Sequence, residues 1–362
     1  MVASAPDAGV EAPPNTASWY AAAAEEGLRS DAASPDTWDA SRGKEARSRL
    51  EAQMQQRPTR SDELVRSRWT TQPGRYWDSF YASNLDGFFK DRHYLADEFP
   101  IPFAMAAGDA PGGGGSVWVL DFGCGVGNAA VPLLRSHPRL RIVGFDISRK
   151  AVSILADTRA AARRDGEEWA SRLVGRIPAH DCTAVEDDDS SVGSLPPVAD
   201  PLAPAGGCPP PVRARGGFDA VLMIFVLSAV PPGRDQLRCL TAACRALRPG
   251  GRLLFRDYAS LDEAQLRFSG RARMPDGAGS GGGGAGRLYA RGDGTLSYFF
   301  EPGELVRLAR AAGMRVVELR PVLRRVVNRR SGVVARRVWL HCVMQKPPPG
   351  ILSGVFGPLA AV

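Results

Sequence analysis

The stretch Val117-Trp-Val-Leu-Asp-Phe-Gly-Cys-Gly-Val-Gly-Asn128 constrains the fold more than any other part of the chain. A run suited to a buried strand leads straight into a turn with glycine at 123, 125 and 127. Glycine there lets the backbone turn sharply and come close to a ligand, where a side chain would intervene. A second run, Arg141-Ile-Val-Gly-Phe-Asp146, ends on a carboxylate 23 residues after Gly123. Nucleoside-binding α/β folds place at that point the acid that accepts hydrogen bonds from ribose hydroxyls. The two runs together predict a parallel sheet holding a nucleoside ligand over its first strand.

The glycine spacing separates two kinds of nucleoside. A dinucleotide site uses Gly-x-Gly-x-x-Gly, so that a pyrophosphate sits on a helix N-terminus. Counted from Gly123 the sixth position is Asn128; counted from Gly125 it is Ala130, which shifts the turn two residues into the helix. The observed Asp121-x-Gly-x-Gly-x-Gly instead resembles motif I of the class I methyltransferases, which bind S-adenosylmethionine (SAM). A tight turn without a ligand is the structural alternative, and one glycine would serve it.

At 362 residues the chain is long enough for one large domain with extensions. Its net charge of +7 favours a polyanionic partner. That excess lies outside residues 1–60, which hold seven Lys+Arg against nine Asp+Glu. Six cysteines without a Cys-x-x-Cys pair and four scattered histidines argue against a metal site and for a reduced, intracellular setting. No apolar run approaches the roughly 20 residues of a membrane span. Early acids at Asp7 and Glu11 argue against a secretory start, so a cytoplasmic location is expected, with nucleus and mitochondrion as alternatives.

The elements follow in an order that a parallel sheet requires. Residues 1–60 read as a largely disordered or helical extension, with a turn or two of helix near Trp19–Leu28 and a polar surface helix over 37–56. Residues 61–110 form an aromatic-basic arm. The core, 111–347, alternates strands at 117–122, 141–146, 173–177, 218–229 and 252–257 with helices at 128–136, 149–164 and 234–247. Arg248-Pro-Gly-Gly251 suits a helix stop and a tight return. Insertions are expected at 187–217 and 270–286, a helix at 301–312, and a tail at 348–362. Runs 316–326 and 333–344 alternate as an antiparallel hairpin.

Flanking segments narrow the family. Arg75-Tyr-Trp-Asp-Ser-Phe-Tyr81, Gly87-Phe-Phe-Lys-Asp-Arg-His-Tyr94 and Glu98-Phe99 resemble the N-terminal signature of the eukaryotic tRNA 3-methylcytidine methyltransferases. Ile224-Phe-Val-Leu-Ser-Ala-Val230, Leu254-Phe-Arg-Asp-Tyr258, Ala264-Gln-Leu-Arg-Phe268 and Tyr289-Ala-Arg-Gly-Asp-Gly-Thr295 are similar to that family too. The likeness runs from about residue 60 to 347. It implies an α/β class I SAM-dependent methyltransferase fold, Rossmann-like, with a mostly parallel seven-stranded sheet, a C-terminal antiparallel hairpin and an N-terminal helical arm. It implies SAM as cofactor, tRNA as partner, methylation of cytidine N3 at anticodon-loop position 32, and an aminoacyl-tRNA synthetase or another protein as candidate helper.

By the same resemblance Trp77 and Tyr81 close over SAM, beside Gly123, Asp146, Asp181, Cys182 and Ile224. Cys182 departs from the leucine usual after the acid. A neutral ring-nitrogen lone pair needs no general base, so the absence of a Ser/His/Asp set does not count against activity. The target nitrogen is hidden in a paired stem, which calls for a loop or flipped base received on aromatic and arginine planes. Phe88 and Phe89 offer such planes, or they pin the arm to the core; Lys90 and Arg92 offer phosphate contacts. Arg267, Arg329 and Arg330 join them, the last two in a run of seven arginines over 320–337 that contains no acid. Arg256 and Asp257 are candidates to position the acceptor base, with a structural pairing as the alternative. The competing functions are a class I methyltransferase for a small molecule or protein, and a tRNA-binding adaptor with a vestigial SAM pocket.

Overall fold

A computed structural model describes residues 10–13, 15–27, 38–56, 68–107, 115–176, 209–274, 286–327, 332 and 334–348. Asp181, Cys182, Arg329, Arg330 and most of the two expected insertions lie outside these residues.

The strands in chain order are β1 (Val117–Phe122), β2 (Leu140–Phe145), β3 (Leu173–Arg176), β4 (Phe218–Ile224), β5 (Leu247–Tyr258), β6 (Leu288–Ala290), β7 (Leu296–Tyr298), β8 (Arg315–Val327) and β9 (Val334–Gln345). The main sheet has the spatial order β3-β2-β1-β4-β5-β9-β8. Its first five strands are parallel, while β9 runs antiparallel to both β5 and β8. This is the expected class I architecture, with β1 and β4 flanking the point where strand order reverses. Strands such as VWVLDF and FDAVLMI are buried almost throughout because helices cover both sheet faces. Helices 234–246 and 302–311 pack on one face, and helices 100–107, 130–136 and 149–164 on the other.

Several expectations need correction. Helix Thr16–Gly27 is three turns long, and its Tyr20 is fully buried with the hydroxyl donating to Ser260 O at 3.1 Å. Helix Ala40–Gln55 is not a plain surface helix, since the preceding Trp38 and the helix's own Ala46 and Gln53 are buried. Tyr289 donates to Gln53 Oε1 at 2.7 Å, and the Gln53 amide donates to Gln265 O at 3.0 Å. A stripe that narrow, with a glutamine in it, carries little hydrophobic signal.

The return at 248–251 is a bulge inside β5: Phe218 faces Leu247, and Ala220 already faces Arg252. The end of the first insertion folds as a short helix, Pro210–Ala214, with Val212 buried. The strand expected over 218–229 stops at Ile224 and gives way to a 3-10 turn at 227–229. The small antiparallel pair of β6 and β7, apart from the main sheet, has no counterpart among the sequence-based expectations.

Candidate functional site at the end of strand 1

The turn after β1 is fixed to its neighbour, since Gly123 and Cys124 N–H both donate to Phe145 O, at 2.9 and 3.0 Å. Gly123 has φ of +75° and Gly125 +53°, both in the left-handed region. A Cβ on Gly123 would stand 2.6 Å from Val226 Cγ2, and one on Gly125 would stand 2.5 Å from the Tyr81 hydroxyl. The loop is thus pressed from two sides, by the loop after β4 and by the arm.

Beyond it opens a cleft whose space, counted out to open solvent, is about 1000 Å³. Its walls hold Trp77, Tyr81, Gly123, Asp146 and Ile224, so these five sequence-predicted residues converge. Asp146 Oδ2 accepts from Gly125 N–H at 2.8 Å and Oδ1 from Ser148 N–H at 2.9 Å. A carboxylate has about four acceptor positions, so capacity remains for a ligand hydroxyl. Burial raises its pKa to about 6 against the pull of the Ser148, Gly125 and Ile147 N–H groups.

Asp121 belongs to the glycine-loop motif, yet the sequence alone assigns it no role. It is buried in the cleft wall, and its Oδ2 has no hydrogen-bond partner among the described residues. Burial lifts it to about 7, with Arg92 opposing and Asp146 adding. An orphaned acceptor beside a bare glycine backbone fits a ligand that carries its own donors.

A methyltransferase-domain family model matches residues 89–319. The tRNA N(3)-methylcytidine methyltransferase Mettl2 of Drosophila melanogaster is 36% identical over 284 residues, covering 78% of this chain and 74% of that protein. Human tRNA N(3)-cytidine methyltransferase METTL6 is 31% identical over 281 residues, 78% of this chain and 83% of that protein. The tRNA(Thr) (cytosine(32)-N(3))-methyltransferase of Saccharomyces cerevisiae is 29% identical over 288 residues, 79% of this chain and 39% of that protein. The chain belongs to the tRNA N3-methylcytidine methyltransferase family. Among solved structures, a SAM-dependent methyltransferase from Anabaena variabilis aligns over 76% of this chain and 96% of that one, at 12% identity and a TM-score of 0.47.

In this family member the arm roofs the cleft. Phe89, expected either to receive RNA bases or to pin the arm, and Arg92, expected at a phosphate, also line it. The Arg92 guanidinium donates to Ile224 O at 2.8 Å and lies 5.1 Å from the Phe225 ring. Arg92 N–H donates to Asn128 O, and Asn128 Nδ2 donates back to Phe89 O at 3.1 Å. Phe225 holds φ of +58°, uncommon for a bulky residue and located in the cleft wall. Phe88 is 57% exposed, although its ring packs edge-on against Phe80 and Phe89. Lys90 is exposed, and exposed Arg267 donates to Glu263 and to Val334 O.

Arg256 and Asp257 require correction. Asp257 is fully buried and stands outside the cleft wall, with Oδ2 accepting from Ser228 N–H at 2.9 Å and Oδ1 from Tyr258 N–H at 2.8 Å. That geometry holds the loop after β4 and leaves no face for a base. Arg256 is buried between the rings of Tyr94 and Trp339, 4.5 Å from each centroid, and is paired with Glu98. Both residues are structural, but each has its own partner, and the expected pairing of Asp257 with Arg256 does not form among the described residues. The arginine-rich hairpin also finds acids elsewhere, since Arg337 contacts both Asp262 oxygens at 2.9 Å and Arg320 pairs with Glu318.

Proposed function

We propose that the protein transfers a methyl group from SAM to N3 of a cytidine in tRNA, at position 32 of the anticodon loop. The observation that carries this reading is the roofed cleft at the strand-order reversal, in a chain of this family. When bound, SAM supplies the electrophilic methyl group. Asp146 takes the ribose hydroxyls, Gly123 gives close backbone approach, Ile224 packs on the adenine, and Trp77 and Tyr81 exclude water from above. Asp181 and Cys182 complete the adenine end in this proposal.

Cytidine N3 is uncharged at neutral pH and attacks without a base, so the protein's task is to orient the ring and keep water out. Buried Asp257 and Arg256 support that orientation by fixing the loop after β4 and the segment around Tyr94. Exposed Phe88, Lys90 and Arg267, together with the hairpin arginines including Arg329 and Arg330, face the RNA in this reading.

Incubation with SAM and unmodified tRNA, followed by nucleoside analysis, should yield 3-methylcytidine, and a C32U tRNA should yield none. Methylation of another base, or of protein instead of tRNA, overturns the reading. Running the reaction with and without an added aminoacyl-tRNA synthetase separates self-sufficient turnover from dependence on a helper.

A further inference from the structure

Helix Pro73–Asn84 carries four residues on one face: Gly74, Trp77, Asp78 and Tyr81. Trp77 and Tyr81 line the SAM cleft. The other two meet the polypeptide that follows β2. A Cβ on Gly74 would stand 3.2 Å from Ile147 Cγ1, so the backbones approach closely there. Four residues on, Asp78 Oδ1 accepts from the Ser148 hydroxyl at 2.7 Å and from Lys150 N–H at 2.9 Å.

Ser148 is fully buried and is the N-cap of helix Arg149–Arg164, its Oγ accepting from Ala151 N–H at 3.1 Å. Its own N–H donates to Asp146. The first turn of a helix leaves N–H groups without intrahelical partners and favours negative charge. Here the arm supplies both the acceptor and the charge, across 70 residues of sequence. A continuous chain of hydrogen bonds thus runs from Asp78 through Ser148 to Asp146.

We propose that Asp78 is a positioning residue for cofactor binding, the latch that docks the arm helix on the N-terminus of helix 149–164 and so holds Trp77 and Tyr81 over the cleft. The proposal rests on the cleft being the SAM site, and SAM binding by the unaltered protein is the control that separates failure of that reading from failure of this one. The physical basis is a population effect. If the arm docks only part of the time, the apparent dissociation constant rises by the inverse of the docked fraction.

Two hydrogen bonds to a charged acceptor are enough to shift that fraction by about tenfold or more. Asp78→Ala should therefore raise the SAM dissociation constant by about tenfold or more in calorimetry. Asp78→Asn keeps Oδ1 as acceptor and should stay within about threefold of the unaltered protein. In the SAM-free protein, amides of residues 75–84 should exchange faster in Asp78→Ala than in Asp78→Asn. The KM for SAM should rise while kcat at saturating SAM stays within about twofold, as loss of uniform binding predicts.

Three results would overturn the latch. One is unchanged SAM affinity in Asp78→Ala. Another is equal loss in both variants, which would assign the effect to charge alone. The third is weakened binding with unchanged amide exchange, which would make Asp78 a direct cofactor contact.

Discussion

Gly125 and Tyr81 contend for one volume, because a Cβ at residue 125 would lie 2.5 Å from the tyrosine hydroxyl. Gly125→Ala should weaken SAM binding by about tenfold, since the left-handed backbone at a non-glycine residue costs roughly 1–3 kcal/mol and the ring must also move. Tyr81→Phe removes the clashing oxygen, so the double variant should lose less than the sum of the single losses. Strictly additive losses in titration calorimetry would show that the ring does not press on the loop. Asp121 gives a pH signature. Burial lifts its pKa from 3.8 to about 7, so the folded protein keeps a proton that the unfolded chain releases at lower pH. Its contribution to stability is full at low pH and is lost as pH rises through about 7. Asp121→Asn should therefore flatten the fall in melting temperature between roughly pH 4 and 7 relative to the unaltered protein. Parallel melting curves would show that the acid is solvated in the folded state. Asp121 was legible as part of a motif, but its missing partner was not, because orphaning depends on what packs around it.

The arginines of the hairpin β8–β9 differ in their surroundings. Arg337 and Arg320 are occupied by Asp262 and Glu318, whereas Arg324 and Arg325 make no ion pair among the described residues. Arg324→Glu combined with Arg325→Glu should weaken tRNA binding and reduce the slope of log affinity against log salt by about 0.9 for each phosphate the strand no longer neutralises. SAM affinity should not change. An unaltered slope would remove this strand from the RNA surface. Elements with strong periodicity, such as helices 149–164 and 302–311 and strands β1 and β2, stand within a residue or two of where the sequence puts them. The helix over 40–55 did not declare its buried face, because its fully buried residues are a glycine, an alanine and a hydrogen-bonded glutamine.

At the scale of the molecule, the described residues before helix Ala40–Gln55 belong with the core. Val10 N–H reaches Val316 O, Thr16 donates to Glu301 Oε2 at 2.7 Å, and Tyr20 packs edge-on against Trp38 at 5.1 Å. Tyr20→Ala should cost about 3 kcal/mol or more in urea unfolding, the range for emptying a buried aromatic site. A loss below about 1 kcal/mol would make this segment peripheral to the cooperative unit. The sequence by itself determined the sheet, the glycine loop and the acid 23 residues beyond it. Strand alternation, glycine turns and loop spacing are properties of consecutive residues, so local order carries them. Only the tertiary structure decided what the polar groups do. Arg256 meets Glu98 across 158 residues, Asp257 holds Ser228, and Asp78 reaches Ser148. A buried charge takes its role from the partner that compensates its desolvation, and that partner is chosen by packing between distant segments, which no local pattern records.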